Sequence, residues 1–268
     1  MYEQHSILRK LKVSASSAML AQYSFPLVEG EMELNPLLGK KLSLRFMNKI
    51  ACVHCGKDIK KSFAQGYCYT CFRRVPEADL CLVRPETCHF HKGTCRDPEW
   101  GQKHCFISHT VYLANSSGLK VGITRTQHEQ TRWLDQGASQ ALPIARVNKR
   151  LQAGILESEL RKYVSDKTNW RLLLKQDTQP LDLKQKREEL LSYLPDDLVY
   201  DGLHDEELRT FRYPILEYPK KITTFDFLKT PLVEGTLLGI KGQYLLFDEG
   251  VLNIRKFAGY SVGFAWSS

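Results

Sequence analysis

The apolar positions change period several times along the chain, and the changes mark out elements. Ser108-His109-Thr110-Val111-Tyr112-Leu113-Ala114 reads as a strand, Asn115-Ser116-Ser117-Gly118 as a turn, and Leu119-Lys120-Val121-Gly122-Ile123-Thr124 as a returning strand. Residues 126–136 then carry a helical pattern, residues 142–147 suit a third strand, and Leu151, Ile155, Leu156, Leu160 and Val164 recur at helical spacing. The predicted order over this stretch is β-β-α-β-α. Residues 181–194 form an amphipathic helix, and a proline- and tyrosine-bearing connection follows from Arg212-Tyr213-Pro214 to Tyr218-Pro219.

The two ends of the chain read as β-structure. Leu42-Ser43-Leu44-Arg45-Phe46 alternates, while Tyr244-Leu245-Leu246-Phe247 is densely apolar between the turns Lys241-Gly242 and Asp248-Glu249-Gly250. Pro26-Leu27-Val28-Glu29-Gly30 recurs as Pro231-Leu232-Val233-Glu234-Gly235. Either the match is chance, or the N-terminal strands pair with a small C-terminal β unit around two inserted modules. The class is α+β. The expected domains are an N-terminal β segment at 1–48, a cysteine-rich module at 49–106, the β-β-α-β-α unit at 107–176, a helical connector at 177–229 and a C-terminal β unit at 230–268.

The cysteine-rich module lacks any such period, and its chemistry lies in spacing. All eight cysteines fall there: Cys52, Cys55, Cys68, Cys71, Cys81, Cys88, Cys95 and Cys105. The first four read C-x2-C, twelve residues, C-x2-C, with Gly56 after the first knuckle. Each knuckle aims two thiolates at one ion, and two knuckles complete the tetrahedral sulfur shell that zinc prefers. Cys81, Cys88, Cys95 and Cys105 are irregularly spaced, and the expectation is a second four-cysteine zinc site. Three cysteines with His89, His91 or His104, or an iron–sulfur cluster, are the alternatives. Shells closed by four protein ligands leave no position for water, so both ions are read as structural.

Composition narrows the setting. The chain has 268 residues, 43% of them hydrophobic, enough for two domains or three small ones. It contains no run of about 18 apolar residues, and its opening lacks the basic-then-apolar pattern of a secretory leader. A cytoplasmic protein with no membrane partner is expected, and a reducing compartment favours metal over disulfides. The net charge is +8 with a pI near 9.0. Residues 106–175 hold eleven Lys and Arg against five Asp and Glu, so a polyanion such as RNA or DNA is expected at that segment.

At the hairpin the sequence resembles the GIY-YIG nuclease superfamily, over roughly residues 108–175. Thr110-Val111-Tyr112 stands in the place of the first signature tripeptide and Lys120-Val121-Gly122 in that of the second. The resemblance implies a small three-stranded sheet flanked by helices, with a catalytic face on the hairpin. It implies Tyr112 as a catalytic residue, Arg132 as the catalytic arginine with Arg125 in competition, and Glu157 as the ligand of Mg or Mn, with Asn169 near the family's late asparagine. The order of cysteines, hairpin and glycine-bearing C-terminus also resembles an uncharacterised bacterial zinc-binding family.

Phosphodiester cleavage needs an activated water, charge stabilisation and a divalent cation, which a tyrosine, an arginine and a glutamate can supply. Here Lys120 replaces the tyrosine that activates water in active relatives, and lysine serves as a base only when its pKa is depressed. The leading reading is therefore a zinc-containing nucleic-acid-binding protein with lost or altered nuclease activity, gripping phosphates with Lys120, Arg125 and Arg132. The alternatives are an active metal-dependent endonuclease, and a zinc-stabilised module that recruits a protein partner.

Overall fold

The computed structural model describes residues 2–27, 30–220 and 222–267. The chain opens with strands β1 (Tyr2–Ile7), β2 (Lys12–Ala15), β3 (Ala21–Pro26), β4 (Glu31–Glu33) and β5 (Lys41–Ile50). The cysteine-rich region carries two short helices, α1 (Tyr69–Arg74) and α2 (Pro98–Cys105), joined by single turns of 3-10 helix. Then come β6 (His109–Asn115), β7 (Leu119–Arg125), α3 (Glu129–Asp135), β8 (Gln140–Val147) and α4 (Arg150–Leu160), in the β-β-α-β-α order that the patterning predicts. The remainder is α5 (Trp170–Leu173), α6 (Leu183–Leu191), β9 (Asp201–Gly202), β10 (Arg209–Thr210), β11 (Leu232–Lys241), β12 (Tyr244–Phe247), β13 (Val251–Asn253) and β14 (Tyr260–Trp266). The class is α+β.

The two ends share one antiparallel sheet, in the order β1-β14-β5-β11-β12-β13. A second sheet runs β10-β8-β6-β7 with β9 also on β8, and β2-β3-β4 form a third. The segment 177–229 thus supplies strands β9 and β10 to the edge of the second sheet as well as helix α6. The recurring pentapeptide does not mark equivalent places: its first copy falls at the end of β3, with Val28 and Glu29 outside the described residues, and its second leads into β11.

Strand β6 shows why the hairpin segment is so apolar. All seven of its residues are buried. Val111 and Leu113 pack with Ala153, Leu156 and Leu160 of α4 and Leu183 and Leu190 of α6. Tyr112 and Ala114 face the other way, into a core shared with Trp133 and Leu134 of α3 and with Phe247 and Phe264 of the terminal sheet. A strand covered on both faces loses the polar half of its alternation. Each large side chain so buried contributes about 1.5–3 kcal/mol, which fixes the register that aims Tyr112 at α3. Among the described residues no helix is long and apolar enough to cross a membrane.

Candidate metal centre and cationic site

The first four cysteines converge. The N–H of Gly56 donates to the Cys52 carbonyl at 2.9 Å, and Gly56 itself sits at φ +72, a conformation natural to glycine. Cys68 caps α1, where its Sγ accepts from Cys71 N–H at 3.3 Å, and Cys68 N–H donates to Cys52 Sγ at 3.2 Å. The Cys55 and Cys68 sulfurs lie 4.0 Å apart, and all four sulfurs fall within 4.8 Å of one another. Tetrahedral Zn–S bonds of about 2.3 Å would separate sulfurs by about 3.8 Å, close to this arrangement.

The electrostatics point the same way. Burial acts to raise the Cys52 thiol, but N–H groups of Cys55, Cys68 and His54 outweigh it and bring the group to about 6. Cys71 is pushed up to about 12, by desolvation and then by hydrogen bonds that its thiol donates to Cys68, Cys55 and Cys52. Four thiols this close cannot all ionise alone, and a divalent cation removes that conflict. The set is one that could hold a zinc ion.

The second cysteine group is less closed. Cys81, Cys88, Cys95 and Cys105 line one cavity of about 20 Å³. The ligand atoms that approach within 4.8 Å, however, belong to Asp79, Cys81 and His89. Asp79 had no signal in the sequence. It is 8% exposed, accepts from Cys81 N–H at 3.3 Å and pairs with Arg96 Nε at 2.7 Å and His89 Nε2 at 3.4 Å. Burial, followed by Asp79, Cys88 and Cys105, pushes the Cys81 thiol up to about 12.

This second group is docked on α4. Arg150 donates to the Leu82 carbonyl at 2.8 Å and Arg161 pairs with Glu86 at 3.0 Å. Gly154 lies so close to the Pro85–Glu86 backbone that a Cβ would meet Pro85 Cβ at 2.5 Å.

The hairpin brings Tyr112, Lys120, Arg132 and Glu157 within electrostatic reach of one another. Tyr112 is fully buried and its hydroxyl donates to Gln136 at 2.9 Å. Its cross-strand neighbour is Gly122, where a Cβ would meet the Tyr112 hydroxyl at 2.6 Å, so the glycine makes room for the ring. Burial and then Arg132 lower Lys120 to about 8, and its ammonium donates to Thr168 at 3.3 Å. Burial raises the Glu157 carboxyl; Arg161, Arg132 and Arg150 oppose this, while Asp166 adds to it.

Arg125 is elsewhere. It ends β7 opposite His109, and there it acts on His109 and Cys105. Asn169 caps α5, its side-chain oxygen accepting from the N–H groups of Arg171 and Leu172. His109 is wholly buried and burial holds it near 4. Its Nε2 and the Nε of Arg150 have no hydrogen-bond partner among the described residues. Gln136, Asp166 and Arg150 join the site only through folding, since none belongs to a motif.

The chain's relationships are those of its sequence as a whole. A family model described as "Protein of unknown function (DUF2797)" matches residues 39–262, and the chain belongs to that family. No curated protein and no solved structure matches it.

Proposed function

We propose that this DUF2797 protein is a zinc-braced nucleic-acid-binding protein, whose GIY-YIG-like central unit grips phosphate instead of cutting it. The observation that carries this reading is the gathering of cations around Arg132. Burial and then Arg132 lower Lys120 and Arg255, and both also lower Arg150, with Glu157, Asp166 and Asp135 as the carboxylates that act on them. Arg132 itself is half-buried. Cations gathered around a half-buried guanidinium suit a polyanion, and arginine offers phosphate a planar pair of donors.

Binding is favoured over cleavage by access. Tyr112 is 0% and Lys120 4% exposed, so neither meets bulk water beside a bound phosphate. One observation does favour the endonuclease reading: Lys120 lies at about 8, low enough to act as a base in mildly alkaline solution. In that reading Glu157, with Asp166 beside it, would hold Mg or Mn. A zinc ion at Cys52, Cys55, Cys68 and Cys71 braces the knuckle, and a second would draw on the Asp79–Cys81–His89 group and the cysteines around it.

Labelled RNA and DNA strands, incubated with the protein and Mg²⁺ or Mn²⁺, separate these readings. Expected is binding that weakens steeply with salt, without cleavage, and a drop of about tenfold in affinity for Arg132→Gln. Cleavage abolished by Glu157→Ala would establish the endonuclease instead. An absence of binding even at low salt would favour recruitment of a protein partner.

A further inference from the structure

An open cavity of about 510 Å³ lies where the loop between the two zinc knuckles meets the terminal sheet. Lys60 and Lys61 enter from the knuckle loop, and Arg255 and Lys256 from the 3-10 turn after β13. Three other polar side chains on its wall each already accept a hydrogen bond. Ser62 Oγ accepts from Gly66 N–H at 2.7 Å, Gln65 Oε1 from Arg255 Nε at 2.7 Å, and Asn253 Oδ1 from Lys256 N–H at 3.3 Å. What these side chains still offer is a hydroxyl proton and two amide NH₂ groups. No carboxylate lines the cavity among the described residues, and Asp226 is paired with Lys256 at 2.9 Å. Neither Lys60 nor Lys61 forms an ion pair among the described residues.

A wall that presents donors and positive charge and no carboxylate selects an anion rich in acceptor oxygens. The volume falls within the range of small-molecule pockets, large enough for more than a lone ion. We propose that this cavity is a second phosphate-binding site, taking a phosphodiester group of a single nucleic-acid strand that also contacts Arg132. The proposal rests on the nucleic-acid reading above and deepens it. Arg255 joins the two places, since its guanidinium feels Arg132 directly and Asp135 of α3 only after it. The knuckle loop would then do more than brace: the metal that orders it also positions Lys60 and Lys61.

Fluorescence anisotropy with labelled single-stranded RNA and DNA, across a salt series, tests this on the full chain and the Lys60→Gln/Lys61→Gln variant, which leaves the cations around Arg132 untouched. Both side chains are exposed, and unchanged zinc content and circular dichroism confirm that the variant folds. The expected result is at least a tenfold loss of affinity, with the salt slope smaller by about 1.4, two contacts at about 0.7 each. Wild-type binding with an unaltered affinity and slope in the variant would overturn this site and leave the nucleic-acid reading standing. No wild-type binding at low salt would overturn both. Displacement of the strand by polyglutamate as effectively as by unlabelled oligonucleotide would overturn the phosphate assignment.

Discussion

The two cysteine groups occupy neighbouring stretches of one chain and reach their positions by different means. In the first, ligands three apart lie on tight knuckles, N–H groups aim the sulfurs, and the set closes to within 4.8 Å. In the second, the cysteines sit on separate elements, Cys105 at the end of α2, and the set that closes to within 4.8 Å is Asp79, Cys81 and His89. The first is built from local geometry that could hold a zinc ion. The second is held from outside, by Arg150, Arg161 and the close seat of Gly154 on α4.

The largest test of this contrast is metal content. Structural zinc contributes on the order of 10 kcal/mol to small sites. Cys68→Ser is therefore expected to lose one equivalent of zinc and the order of the knuckle, whereas Cys88→Ser keeps that equivalent. Elemental analysis with thermal unfolding reads both, and equal losses in the two variants would erase the distinction.

Next in size is acid sensitivity at the seam between the second group and the hairpin. His109 titrates near 4 in the fold, because burial penalises its charged form, and near 6.5 when unfolded. Between those values the unfolded chain holds the extra proton. Stability is therefore full above about pH 6.5 and drains by about 3 kcal/mol as the pH falls to about 4. Urea unfolding at both ends of that window should show a smaller pH difference for His109→Asn than for wild type. Metal loss in acid is common to both chains, so the gap between them isolates the histidine.

The smallest effect is expected from Gly154→Ala, whose new Cβ would lie 2.6 Å from Glu86 N. It should cost about 1–3 kcal/mol and speed amide exchange around residues 81–95 while the first zinc stays. A loss of zinc from the knuckle instead would mean that the two groups are coupled.

Much of this architecture was legible in the sequence wherever its cause is local. The C-x2-C pairs carry their own geometry, and the hairpin declares itself through apolar runs around Asn115 and Gly118. Helix boundaries shifted modestly: the expected helix at 126–136 opens with a 3-10 turn over Thr126–His128 and is α-helical over Glu129–Asp135. Asp79 was invisible because a lone acid before a cysteine has no period, and its meaning arises only when Arg96 and His89 fold onto it. Arg125 competes with Arg132 in the sequence, and only the register of β7 shows that Arg125 stands opposite His109. Lys60, Lys61 and Arg255 are distant in sequence, and only the packing of knuckle loop on terminal sheet makes them neighbours.

The placement of β14 between β1 and β5 bears on how the chain is made. A ribosome delivers β1 and β5 early and the strand that must lie between them last. Until then both present open ladder edges, which are templates for pairing with another nascent chain. The hairpin unit and the knuckle can fold in the interval from near-neighbour contacts, whereas closing the terminal sheet is a late, high-contact-order event. Synthesis speed and chaperone holding, more than equilibrium stability, should then govern the yield of the finished protein.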